Sequence, residues 1–371
     1  MQPMKKAIAL ALAVSLSVLN FPVNLQPARA DDSDIFGANI QPNVLILIDT
    51  SQSMQDEIPS SPYNPSTLYT TGGYTYSPSQ GAVYKYNTTS RTYSLYKNNI
   101  GLVPNSDGTP TSAARDGLTN SGYWYGKIVG TQYYLFTGNY MNWKAPASAT
   151  TQPKITIAKQ VVATLIQNTT GVRFGTAKFK ANGGEIVSPI GTDTATLVSE
   201  VNKLTAPGGF GTVLGEQIHD AGTYYQGLGD GNGTYTGQSP IQYECQPNFI
   251  IVVSDGLYTG SNPWDEAAKL NAQDQASWLP GKQNIIVHTV GFGIAVSEPA
   301  NELTANDALQ KTATLGGGKF YSTVSAGELE AALQDAIQQI VAATFSFATP
   351  VVPTTSATGS TKAYMAAFQS N

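Results

Sequence analysis

The sequence is poor in several things, and each shortage excludes something. Among 371 residues there is one cysteine, Cys245, so no disulfide can close within the chain. Cys245 reads as a buried free thiol; a bridge to another chain, or to a part of the protein outside this sequence, is the alternative. There are two histidines, His219 and His288, and neither stands in H-E-x-x-H or any other zinc-ligand spacing. His288 lies inside an apolar run and reads as a packing residue; His219 reads as a solvated or capping one. Charge is sparse, with 12% Asp, Glu, Lys and Arg and a formal net charge of −5. The basic residues are dispersed in an acidic chain, which argues against nucleic acid as a partner. No G-x-S-x-G elbow, Walker loop or dinucleotide fingerprint occurs. With no nucleophile and base to pair, the chain is expected not to be an enzyme.

Beyond the N-terminus, no apolar stretch is long enough to cross a bilayer. The first residues are "MQPMKKAIALALAVSLSVLN", with Lys5 and Lys6 ahead of an apolar run from Ala7 to Leu19. "ARA" at Ala28 to Ala30 supplies a small-x-small cleavage signal. Residues 1–30 therefore read as a secretory signal peptide. An uncleaved anchor is the alternative that the cleavage signal argues against. After cleavage the protein is expected to be exported and not integral to a membrane. Losing Lys5, Lys6 and Arg29 and no acid moves the net charge by three, from −5 to −8.

What is abundant is Gly, Ser, Thr, Asn and Tyr, and their placement is uneven. "VLILIDTSQSM", Val44 to Met54, begins with five apolar residues and no alternation, the pattern of a strand buried on both faces. It stops at Asp49 and then offers Ser51 and Ser53. The carboxyl end of such a strand is where open α/β sheets place ligands. One carboxylate and two hydroxyls are hard oxygen donors, suited to Mg²⁺, Mn²⁺ or Ca²⁺. The same residues also read as a plain Asx or Ser turn.

From residues 55 to 150 there is no helical period. Turn clusters separate short Tyr-rich runs, and thirteen of the twenty tyrosines lie between Tyr63 and Tyr140. This predicts a β-containing insertion, its aromatics forming either a small core or a contact surface. Regular alternation then resumes. Pro153 is expected to open a helix. "VRFGTAKF" and "GEIVSPI" read as strands, the second as an antiparallel edge. "PNFIIVVSDG" is a second buried strand ending in Ser254 and Asp255. "SAGELEAALQDAIQQIV" is the last helix, with Ser325 and Glu328 as a capping box. "GDGNGTYTG" from Gly229 lacks a closing glutamate and reads as a glycine-rich turn rather than a calcium loop. The fold class predicted is α/β: a doubly wound, mostly parallel, Rossmann-like sheet flanked by helices. Its expected bounds are 31–342, with the insertion at 55–150. Residues 343–371 read as β segments leading into a further domain outside this sequence.

A Gly-rich turn from Pro207 delivers Thr212 to a helix, so the order is D-x-S-x-S, then a loop threonine, then S-D-G. This resembles the von Willebrand factor A domain with its metal-ion-dependent adhesion site. The resemblance implies that Asp49, Ser51, Ser53, Thr212 and Asp255 hold a divalent cation, Mg²⁺ with Mn²⁺ or Ca²⁺ as alternatives. It also implies a position left open for a carboxylate from a protein or surface ligand. "NYMNW", "ITIAKQVV", "GVRFGTAKF" and "SPIQYECQPNFIIVVSDG" are similar to the PilY-like tip adhesins of type IV pili, whose C-terminal β-propeller is missing here. That likeness implies a bacterial cell surface, pilus tip or outer-membrane location and minor pilins as partners. It implies a role in attachment and pilus biogenesis; the alternative is a purely structural assembly or priming factor.

Overall fold

The computed structural model describes residues 40–59, 62–70, 78–144, 151–207, 209–231, 233, 235–244, 246–294 and 299–345. The signal peptide, Cys245 and the segment after 345 lie outside them.

The first strand is β1 (Asn43–Ile48), and a single 3₁₀ turn, Gln52–Gln55, follows it. The insertion opens with β2 (Glu57–Pro59) and continues through β3 (Val83–Asn87) and β4 (Thr92–Lys97). Helix α1 (Ala113–Ser121) comes next, followed by β5 (Tyr123–Ile128), β6 (Thr131–Thr137) and α2 (Gly138–Lys144). It closes with β7 (Thr151–Pro153). The main body resumes as α3 (Lys154–Asn168), β8 (Arg173–Lys180), β9 (Gly183–Ser188), α4 (Thr194–Lys203) and α5 (Leu214–Tyr225). It ends with β10 (Asn248–Ser254), α6 (Pro263–Ala272), β11 (Ile285–Phe292), α7 (Pro299–Leu315), β12 (Gly317–Thr323) and α8 (Ala326–Phe345).

Six strands form one sheet in the order β12-β11-β10-β1-β8-β9. All neighbours are parallel except β8 and β9, so the antiparallel edge expected for "GEIVSPI" is present. The unbroken apolar run of β1 follows from its central place. Val44, Ile46 and Ile48 face a core shared with α3, α4 and α8. Leu45 and Leu47 face another, shared with α5, α6 and α7. All five are fully buried. Burying each side chain contributes about 1.5–3 kcal/mol, which is why no polar residue interrupts the run.

The insertion leaves and rejoins the sheet through a narrow stem. β2 pairs antiparallel with β7, Glu57 opposite Pro153, and Lys154 N–H donates to the Asp56 carbonyl at 3.0 Å. Beyond the stem stands a separate antiparallel sheet, β4-β3-β6-β5. Aromatics of the insertion pack on one another: Tyr140 lies 5.1 Å from Tyr63 and 5.2 Å from Trp143 between ring centroids. Tyr140 and Trp143 are buried, so these rings make an aromatic core.

Three local expectations are adjusted. Pro153 does not open α3; it ends β7 and is the residue before the first helical turn, where its missing N–H costs nothing. The capping box at α8 is offset. Glu328 N–H donates to Ser325 Oγ at 3.3 Å, while the Glu328 carboxylate accepts from Val324 N–H at 2.8 Å. Helix α8 runs on to Phe345, a few residues past the end its periodicity marked.

Candidate metal centre

The register of the central strands builds the site. Ile48 is paired with Val253, and Asp49 N–H donates to the Val253 carbonyl at 2.9 Å. Asp49 and the Ser254–Asp255 pair therefore leave the sheet side by side at its carboxyl edge, as a parallel sheet requires.

Asp49 is fully buried. Its Oδ1 accepts from Ser51 N–H at 2.8 Å and its Oδ2 from Ser254 Oγ at 2.6 Å. The first of these bonds is an Asx turn, so the turn reading of this loop is seen directly, and the turn aims the Ser51 hydroxyl. Ser51 is the residue before the 3₁₀ turn, yet its hydroxyl caps nothing there. It lies 3.1 Å from Ser53 Oγ and accepts from Thr212 Oγ1 at 3.0 Å. Thr212 is brought in by the Gly-rich loop, which is tied at both sides. Gln52 N–H donates to the Phe210 carbonyl at 3.4 Å, and Thr259 N–H donates to the Thr212 carbonyl at 2.8 Å. Three hydroxyls thus meet beside Asp49.

Asp255, also buried, is the second carboxylate. Its Oδ2 lies 3.1 Å from Lys154 Nζ, while its Oδ1 is buried without a hydrogen-bond partner among the described residues. Buried polar atoms are nearly always bonded, so this carboxylate oxygen has capacity for a further donor or a cation. Burial, and then the negative charge of Asp255, push the Asp49 carboxyl up to about 7, against the hydrogen bonds from Ser254 and Ser51 that pull it down. A cation added here would relieve that penalty.

Lys154 was not foreseen in the sequence. It begins α3 and its side chain is 2% exposed, in an ion pair with an equally buried Asp255. A signal was present: Lys154 falls on the stripe of Ile157, Ala158, Val161 and Val162, and a lysine on an apolar helix face needs a carboxylate facing it. The two histidines lie elsewhere. His288 is buried and its Nδ1 accepts from Lys319 N–H at 3.2 Å, while His219 is exposed beside Glu266. Among the described residues no three acidic, histidine or cysteine side chains cluster as a metal cage. The donors that do converge are two carboxylates and three hydroxyls, all hard oxygens. That set fits Mg²⁺, Mn²⁺ or Ca²⁺ and not zinc.

No protein-family model and no curated protein sequence matches this chain. Among solved structures it is similar to the conserved hypothetical protein BatB from Bacteroides thetaiotaomicron, at 14% identity and a TM-score of 0.43, over 81% of this chain and 98% of that one. It is also similar to the vWF domain of the type V pili tip protein Mfa5 from Porphyromonas gingivalis, at 13% identity and a TM-score of 0.35, over 81% and 96%. The PilB minor pilin from Streptococcus sanguinis aligns at 11% identity and a TM-score of 0.35, over 81% and 61%. These likenesses are distant, and the fold stands on the sheet order described above.

Proposed function

We propose that the protein is an exported, non-enzymatic binding module of the von Willebrand factor A type. In this reading Asp49, Ser51, Ser53, Thr212 and Asp255 hold a divalent cation, and the cation presents an open position to a carboxylate on a protein or surface ligand. One observation carries it: three hydroxyls and two buried carboxylates converge at the edge of the sheet, and Asp255 Oδ1 is left unbonded. When bound, Mg²⁺ would act as a Lewis acid that attracts an anionic oxygen even to an acidic domain, being the largest local charge. The chain's own part is to orient. The Asx turn fixes Ser51, the tied Gly-rich loop fixes Thr212, and Ser254 fixes Asp49.

The finer part of the reading is a place on type IV pili as a tip adhesin that also serves pilus biogenesis with minor pilins. It comes from the sequence resemblance. Among the described residues no helix is long and apolar enough to cross a membrane. The test is attachment of the purified chain to a carboxylate-bearing surface with Mg²⁺, with EDTA, and with Thr212→Ala. Attachment should need both the ion and Thr212. Undiminished attachment under both perturbations would remove the adhesive mechanism and favour the docking role in pilus assembly.

A further inference from the structure

We propose that Lys154 is a built-in rival of the divalent cation: its ammonium holds Asp255 in the ion-free site and shifts to Asp56 when the ion arrives. The cation site would then fill only where divalent ions are plentiful. The inference rests on the cation-site reading above and adds a regulation to it.

The geometry supplies a charge and a second seat. Lys154 Nζ is 3.1 Å from Asp255 Oδ2 and 3.8 Å from Asp56 Oδ2. The two partners differ sharply, since the Asp255 side chain is 2% exposed and that of Asp56 69% exposed. The ammonium thus sits between a buried carboxylate at the candidate centre and a solvated one outside it. Its stem is confined. Gly293, at a φ of +68°, lies against it so closely that a Cβ there would stand 3.0 Å from Lys154 Cε. The stem therefore has no spare room on the Gly293 side.

Charge gives the direction of the effect. Asp49 and Asp255 are the only carboxylates among the proposed ligands, and Lys154 cancels one of them. An ion that engages Asp255 meets a like charge bonded to the same carboxylate, so either the lysine moves or the ion binds weakly. Both outcomes lower the affinity relative to a site without Lys154. A unit charge a few ångströms from a divalent ion alters its binding by about tenfold even in a water-like dielectric, and by more when buried. Asp56 offsets part of this by receiving the displaced ammonium. Removing Asp56 should therefore weaken ion binding, although Asp56 is not among the proposed ligands.

The experiment is calorimetric titration of the full chain with Mg²⁺ and with Mn²⁺, alongside thermal melts in EDTA and in saturating Mg²⁺. The variants are Lys154→Met, Asp56→Asn and Asp49→Ala. Lys154→Met should bind at least about tenfold more tightly than wild type, and Asp56→Asn more weakly. Lys154→Met should also melt below wild type in EDTA and regain the loss in Mg²⁺, which keeps the test readable if the ion-free variant is partly unfolded. Wild-type affinity in folded Lys154→Met, or in Asp56→Asn, overturns the proposal. The two readings fail separately. If wild type binds, Asp49→Ala does not, and Lys154→Met is unchanged, the site stands and the rivalry falls. If no form binds either ion, both fall.

Discussion

Removing one partner of the buried Lys154–Asp255 pair should cost more than removing both. At 3.1 Å and an effective dielectric of about 20 the attraction is about 5 kcal/mol. Taking both groups out of water offsets most of it, because each side chain is only 2% exposed. The pair adds little net stability, but either member alone is a buried, uncompensated charge. Asp255→Ala leaves the ammonium with Asp56 as its nearest carboxylate, 3.8 Å away and largely solvated. A loss of about 3–5 kcal/mol is expected in EDTA. Lys154→Met leaves Asp255 beside Asp49 and should lose a similar amount. The double variant replaces two charges by apolar groups and should recover much of the loss, giving a coupling of about 2 kcal/mol or more. Urea denaturation of the four proteins at neutral pH in EDTA measures the cycle. If the double variant loses the sum of the single losses, the two groups are not a coupled buried pair and the reasoning fails.

The insertion should be removable. Joining Pro59 to Thr151 with a short Gly-Ser turn keeps the β2–β7 stem, and circular dichroism should then show a cooperative melt with the six-stranded sheet retained. Insoluble or molten products across several linker lengths would count against this. His288 should make the protein acid-sensitive. Burial, reinforced by the Lys319 charge, lowers its pKa from 6.5 to about 4. The unfolded chain therefore binds the proton first as pH falls, and stability present above pH 6.5 is lost towards pH 4, by about 3 kcal/mol. His288→Asn should flatten that part of the stability–pH profile, and an unchanged slope would refute the assignment.

Much of the sheet was legible because its strands are buried on both sides. The runs at Val44–Ile48 and Phe249–Val253 have the unbroken apolar pattern of central strands, and their polar ends lie at the carboxyl edge of the sheet. The insertion was legible by contrast, since Tyr and turn residues interrupt the α/β period at Gln55 and release it at Pro153. Its internal sheet was not, because strand order is set by long-range pairing such as Tyr84 with Phe136, which no local pattern encodes. At the candidate centre the sequence showed the oxygens but not the charge balance. Lys154 sits far from Asp255 in the chain, and only the packing of α3 against the sheet brings them together. D-x-S-x-S also does not separate a turn from a metal loop, because the Asx turn seen here is compatible with either.

The most direct measurement is the heat of Mg²⁺ binding to the metal-free chain, compared with an Asp49→Ala variant whose fold is confirmed by circular dichroism. Wild type should show saturable one-site binding and Asp49→Ala none. An ion concentration a hundredfold above the dissociation constant should raise wild-type stability by about 2.7 kcal/mol. Equal affinity for the two proteins, or no binding by either, would contradict the cation-site reading.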